Sequence, residues 1–312
     1  LSSSSAASDV YKRQAVERPL AKQGKRQERL LFLALIAPNL ILILLFVYRP
    51  LVMNVYYSTL DWTLGSPTAR KVGFANYVEF FSSHEAADVL RTTAIFTVGT
   101  VGGAMALGLA MAVVLNRKLV GRTPARTTVF APYVLSGVGV GLVWSFIFDP
   151  VGGLLAAVLR GWGMRSPEWF NQPGLALTMI IIVYVWKNLG YCAVIYLAGL
   201  QSVPRDLLEA ASLDGASGHR QFWSIIWPLL SPTTFFLMLT TILSSLQAFD
   251  LIRIMTPTGL GTTTLMYDVY MQAFGGYNRA GYASAVSTVL LVILLVLTVI
   301  QLRYLEKKVH YA

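Results

Sequence analysis

The chain has one cysteine, Cys192, and three histidines, His84, His219 and His310, among 312 residues. A disulfide framework needs pairs and a cysteine zinc site needs several thiolates, so both are excluded. Charge is scarce as well. Only 13% of residues are Asp, Glu, Lys or Arg, against about 25% in an ordinary soluble domain. With 15 acidic residues in all, no Ser/His/Asp set and no pair of carboxylates falls within an apolar stretch, and no catalytic constellation emerges. What is abundant is hydrophobicity. Residues of the apolar and aromatic types make up 55% of the chain, and the mean hydropathy is +0.59. That excludes a disordered chain, a collagen-like fibre and a small soluble enzyme, and places the chain in a bilayer. The net charge of +10 would suit nucleic acid in a soluble protein. In a membrane protein it marks basic loops, so no nucleic-acid partner is expected.

Residues 1–14, LSSSSAASDVYKRQ, are Ser-rich, lack the apolar core of a signal peptide and read as a non-native leader, so they are set aside. A spanning helix needs roughly 20 apolar residues. Six segments qualify, near 30–48, 92–115, 128–148, 175–199, 230–252 and 282–304. None alternates as a barrel strand would, so each is expected to be a helix. The expected fold is an all-α membrane protein with six transmembrane helices. A tail over 1–29, a six-span domain over 30–304 and a short tail over 305–312 complete the division. Sixteen Lys and Arg fall on the side of the tails and of the loops after spans two and four, and eight on the other side. Both termini are therefore expected to be cytoplasmic.

Several short patterns fail on context. Leu135-Ser136-Gly137 lies within span three, and no phosphate loop of the form G-x-x-x-x-G-K-S/T exists. His84-Glu85 begins a zinc-protease pattern, but Asp88 stands where the second His is needed. Gly137, Gly139 and Gly141, like Gly99 and Gly103, read as sites of close helix packing.

The informative segment joins spans four and five, from Gln201 to Pro228. Ser202 and Pro204 suit the start of a helix, with Leu207, Leu208 and Ala211 on one face. Gly215 suits a left-handed stop, and Ser217 suits the cap of a second helix with Phe222, Ile225 and Ile226 on its apolar side. Pro228 marks the start of span five. An amphipathic helix–turn–helix of this kind fits a partner's groove.

The spacing Glu209-Ala210-Ala211, then Gly215, Ile225 and Pro228, resembles the EAA loop of ABC-importer permease subunits. Trp227 stands where that pattern has Leu, and Asp214-Gly215-Ala216 resembles its carbohydrate branch. The likeness runs from about residue 30 onward, through Ala37-Pro38-Asn39, Phe74-Ala75-Asn76-Tyr77, Leu115-Asn116-Arg117 and Gly281-Tyr282-Ala283. The six-span form is similar to the glycerol-3-phosphate and lactose-type permeases. Thr256-Pro257-Thr258-Gly259 departs from the family's usual Gly-Gly-Pro turn.

The resemblance implies a non-catalytic translocation subunit in a bacterial or archaeal membrane. Its partners would be a second permease, two ABC ATPase subunits that use ATP and Mg²⁺, and an extracytoplasmic solute-binding protein. No cofactor would be bound by this chain. The ATPase-coupling residues would be Glu209, Ala210, Ala211, Asp214, Gly215, Leu207, Phe222, Ile225 and Pro228. Glu209 is read as the electrostatic contact, the alternative being a local pair with Arg205.

Polar residues within spans are costly and often line a solute path. Lys187 and Asn188 fall in span four, and Gln247 and Asp250 on one face of span five. Trp144, Tyr191 and Asn188 suit sugar contacts, with helix packing as the alternative. A rise of 1.5 Å per residue puts Lys187 roughly 13 Å deeper than Asp250, too far for a bond. Asp250 is instead expected to meet Arg253 or a partner subunit. Two further classes stay in view. A stand-alone secondary transporter would want ion-coupling carboxylates or broken helices, and a lipid-linked glycosyltransferase would want acidic or histidine clusters. Hexose, oligosaccharide, polyol and glycerol 3-phosphate remain equally open as solutes.

Overall fold

The computed structural model describes Glu28, residues 31–117 and residues 121–305. The tail readings, including the set-aside leader, and the charges Lys118, Lys307 and Lys308 lie outside the described residues. The chain forms two units, one up to Tyr56 and one from Tyr57 onward.

Helix α1 (Leu31–Tyr57), all but its last residue in the first unit, is long and apolar enough to cross a membrane. It contains a π turn at Leu44–Tyr48, closed by the Arg49 N–H donating to the Leu44 carbonyl. The turn ends two residues before Pro50, which has no N–H to give to the helical ladder.

The second unit opens with a short antiparallel ribbon, β1 (Leu60–Asp61) against β2 (Arg70–Lys71), with Leu60 opposite Lys71. Helix α2 (Ala75–Ser82) is tied to it by the buried Asn76, whose Nδ2 donates to the carbonyls of Ser58 and Leu60, both at 2.9 Å. Helix α3 (His84–Asn116) starts on the Ser83 side chain, which accepts from the Ala86 N–H. It packs along α7 (Pro173–Ser202). A Cβ on Gly99 would stand 3.1 Å from Ile181, one on Gly103 2.8 Å from Val185, and one on Gly108 2.5 Å from Cys192. The packing reading of Gly99 and Gly103 holds, because a Cβ at either would press on a side chain of α7.

The third expected span is not one helix. It is α4 (Arg122–Val134) and α5 (Gly137–Ile147), bent by 97° at the break. Pro132 lies in the last turn of α4, and Leu135 and Ser136 take extended or non-helical angles. Among the described residues five helical segments are long and apolar enough to span, and there are six if this bent pair counts as one span. A short helix α6 (Leu154–Gly161) follows before α7. After α7 come α8 (Arg205–Leu213) and α9 (Gly218–Gln221), which continues through a π turn at Phe222–Ile226 into Trp227–Leu229. The π turn precedes Pro228, as at Pro50.

The fifth span is also interrupted. Helix α10 (Ser231–Leu246) ends at Gln247, and α11 (Asp250–Met255) begins after Phe249. Helix α12 (Leu265–Phe274) leads to α13 (Ala280–Ile300), which closes with a π turn at Gln301–Leu305. Buried polar ties join the spans. Thr100 and Ser245 share a hydrogen bond of 2.9 Å, and the Leu265 N–H donates to Thr93 Oγ1 at 2.9 Å.

Candidate functional site

Two features stand out, a polar cavity beside the helix breaks and the exposed loop after α7. The cavity measures about 360 Å³ and is lined by Tyr133, Gly137, Tyr184, Lys187, Asn188, Ser244, Gln247 and Asp250, with Phe249 at its side. A second hollow of about 200 Å³ shares Tyr133, Tyr184, Asn188 and Ser244 with it and adds Tyr191, Thr240 and Thr100. Of the residues singled out in the sequence, Lys187, Asn188, Gln247 and Asp250 therefore line one space, and Tyr191 lines its extension.

The lining is held by specific bonds. Tyr184 donates its hydroxyl to the Ser244 carbonyl at 2.9 Å, and Asn188 Nδ2 donates to the Tyr184 carbonyl at 2.8 Å. Tyr133 and Tyr191 stack with centroids 4.9 Å apart and planes 18° apart. Trp144 lies elsewhere. It packs on Phe148 and Trp186 in the apolar core, so the packing alternative describes it.

The break in span three explains both intramembrane charges. Lys187 Nζ donates to the carbonyls of Tyr133 at 2.9 Å, Leu135 at 2.8 Å and Pro132 at 3.3 Å. These are the carbonyls left without partners where α4 ends, and a cation suits that negative end. Asp250 lies against the start of α5, its Oδ2 3.1 Å from where a Cβ on Gly137 would be. An anion suits that positive end. The two charges thus flank one break without bonding to each other, as expected. The reason differs from the depth estimate, because the break after α10 brings Asp250 into the same cavity as Lys187. The expected meeting of Asp250 with Arg253 does not occur. Arg253 lies over the Tyr270 ring, 5.2 Å from its centroid, and among the described residues the ion pairs are Arg70–Asp61 and Arg279–Glu79.

At the end of the bundle where α3 and α7 begin, a wider hollow of about 650 Å³ is lined by Glu85, Asp88, Asp268, Gln272 and Tyr277 among others. Burial pushes the Asp268 carboxyl above the usual carboxylate range. The Gln272 amide bond at 3.3 Å opposes that shift, and the Glu85 charge adds to it.

In the loop after α7, the start differs from expectation. Ser202 is the last residue of α7, its hydroxyl donating back to the Gly199 carbonyl, and Pro204 occupies the cap of α8. The turn is as the sequence implies. Gly215 has φ +77°, and the Ala216 N–H reaches the Ala211 carbonyl at 2.9 Å. Ser217 caps α9. Gln221 Nε2 donates to Ser212 Oγ and to the Ala216 carbonyl, both at 2.9 Å, stapling the two helices. Glu209, Ala210 and Asp214 are exposed, and Ala211, Phe222, Ile225 and Pro228 are half-buried. Leu207 is 47% exposed and Leu213 90%. Glu209 forms no ion pair with Arg205 among the described residues.

Sequence reasoning missed Tyr133, Tyr184 and Thr240, while Ser244 lies one turn before Gln247 on the face that it did single out. The usable signal was Pro132 followed by Ser136-Gly137, which marks a helix break inside an apolar run.

Apolar helices of spanning length around a polar cavity, with non-helical backbone confined to that cavity, define a multi-pass membrane protein built to pass a polar solute. The chain belongs to the family of binding-protein-dependent transport system inner membrane components, whose model matches residues 104–311. It is 36% identical over 280 residues to the sn-glycerol-3-phosphate transport system permease protein UgpA of Agrobacterium fabrum, covering 89% of this chain and 95% of that one. It is 34% identical over 284 residues to the sulfoquinovosyl glycerol transport system permease protein SmoG of the same organism, covering 90% and 92%. The fold is also that of a chain in the crystal structure of a bacterial alginate ABC transporter in complex with alginate pentasaccharide-bound periplasmic protein. There the TM-score is 0.77 at 22% identity, covering 88% of this chain and 93% of that one.

Proposed function

We propose that this chain is the translocation subunit of an ATP-driven, binding-protein-dependent importer for a sugar or sugar-like solute. Both termini face the cytoplasm, and the loop from Gln201 to Pro228 is the contact with the ATPase. Family membership and the solutes in the relatives' names support the transport class. The observation that carries the coupling role is the loop itself, whose EAA spacing folds as an exposed, stapled helix–turn–helix with its turn at Gly215. Glu209 and the exposed Leu207 and Leu213 offer one charge and an apolar surface to a partner groove. A second permease would complete the path, and ATP and Mg²⁺ would be bound by the ATPase subunits.

A stand-alone secondary transporter would want broken helices, and spans three and five each contain a break. Family membership favours the importer over that alternative.

The test is co-purification with the partner permease and ATPase, followed by binding-protein-stimulated ATP hydrolysis, with Glu209→Ala and Gly215→Pro alongside. A stable complex whose stimulation falls in the loop variants supports the reading. Transport without ATP by a chain that ignores a competent ATPase overturns it.

A further inference from the structure

A row of aromatic side chains runs out of the cavity from the break before α11 along α12. Phe249, in the break after α10, lines the cavity beside Asp250. Its ring centroid lies 4.9 Å from that of Tyr270, and Tyr270 lies 5.9 Å from Phe274. Behind the row, the fully buried Tyr267 stacks near Tyr270 with planes 15° apart, and its hydroxyl donates to the Pro257 carbonyl at 2.6 Å. Phe249 and Tyr270 are half-buried, and Phe274 is 63% exposed at the end of the bundle opposite the α8–α9 loop.

An aromatic row on a membrane helix is usually lipid contact or core. Here its polar neighbours argue otherwise. Gln247 and Asp250 are exposed on the same segment, and the Arg253 guanidinium sits over the Tyr270 ring. A carboxylate, an amide and a guanidinium together on a lipid-facing flank would be costly, so this flank does not face lipid. Aromatic faces edged by hydrogen-bonding groups and open to water are the composition that binds a sugar ring. The apolar C–H face of a pyranose lies on the aromatic ring, and its hydroxyls reach the polar edge.

We propose that Phe249, Tyr270 and Phe274 form a stacking track for pyranose rings. The track leads from the outer end of the bundle to the cavity, with Arg253 as the hydrogen-bond donor at its side. The rings lie 4.9 and 5.9 Å apart and are tilted by 58° and 38°, so a sugar steps between separate platforms, and at Tyr270 it takes the place of the Arg253 guanidinium over the ring. The proposal rests on the importer reading above and narrows its solute to one that contains a hexose ring.

The test uses the complete transporter in liposomes, with labelled glucose, maltose and glycerol 3-phosphate as probes. Tyr270→Leu and Phe274→Leu should each lower pyranose uptake about fivefold, with complex yield unchanged. Tyr270→Trp should restore uptake. Pyranose uptake that is unchanged in the Leu variants overturns the track and leaves the importer standing. Uptake of glycerol 3-phosphate alone, which has no ring, does the same. A wild-type complex that carries none of the probes and gains no hydrolysis from the binding protein overturns both readings. A second measurement is independent of flux. The native Cys192 is buried, so Phe274→Cys with otherwise cysteine-free partner subunits gives one reactive thiol. It should react with a membrane-impermeant thiosulfonate, more slowly when maltose is present. Reaction only with a lipid-soluble maleimide would place the row against lipid and overturn the track.

Discussion

Replacing Lys187 by Met tests the account of the helix break directly. The ammonium makes two short bonds, at 2.8 and 2.9 Å, and a longer one at 3.3 Å to carbonyls at the end of α4. A hydrogen bond to a charged group is worth about 1.5–3 kcal/mol net. Lys187 is half-buried at a cavity wide enough for water, and water recovers part of what the carbonyls lose. The expected cost is therefore about 2–4 kcal/mol, from the lower part of that range per bond. Asp250→Asn removes a charge near the start of α5 and should cost about 0.5–1 kcal/mol. Each charge answers a different helix end, but both line one cavity, so the double variant should fall within about 1 kcal/mol of the sum of the two. A thiol-reactive fluorophore reporting exposure of the buried Cys192 on heating reads these costs. Lys187→Met should lower the midpoint by about 5–10 °C. A direct Lys187–Asp250 ion pair would behave differently, with either single variant costing about 3–5 kcal/mol and the double variant recovering stability. Recovery in the double variant, or an unshifted midpoint in Lys187→Met, refutes the account.

Three further outcomes are expected. Gly190→Ala drives a Cβ into the Val129 carbonyl, a backbone group that cannot rotate away, and should cost about 1–3 kcal/mol, read from the same midpoint. Gly215→Ala puts a side chain at φ +77°, should cost about 1 kcal/mol locally, and should lower stimulated hydrolysis while leaving the spans intact. Asp268→Asn should stabilise the protein at neutral pH by about 1 kcal/mol, by removing a buried charge and giving Gln272 a neutral partner. Burial raises the Asp268 pKa in the folded state, so its favourable contribution is present at low pH and is lost as pH rises through the folded value. The gain over wild type should therefore shrink between pH 7.5 and about pH 4, as midpoints at the two values would show.

The spans were legible because hydropathy summed over a long window is insensitive to detail. That same averaging hid the 97° bend, since Pro132, Ser136 and Gly137 sit inside an apolar run that scores as one segment. The break at Gln247–Phe249 carries neither Pro nor Gly and leaves no local signature beyond two polar residues in an apolar stretch. The partners of Lys187 could not be read at all, because they are backbone carbonyls, which every residue has. Trp144 failed for a related reason. Its type suits a sugar, but its direction on α5 turns it to Trp186. Gly215 was legible because a left-handed turn at that spacing selects glycine through local sterics alone.

The close approach of α3 and α7 divides the molecule into frame and joints. With Gly99, Gly103 and Gly108 seated on Ile181, Val185 and Cys192, neither helix can slide past the other without lifting a side chain over a backbone. Interfaces of that kind shift between discrete positions rather than flex. The pair is the stiff chassis of the subunit. Compliance is left to the places where the helical hydrogen-bond ladder is already interrupted, after Val134 and after Leu246. Both interruptions open on the same polar cavity, so the two joints within spans three and five meet at one polar space.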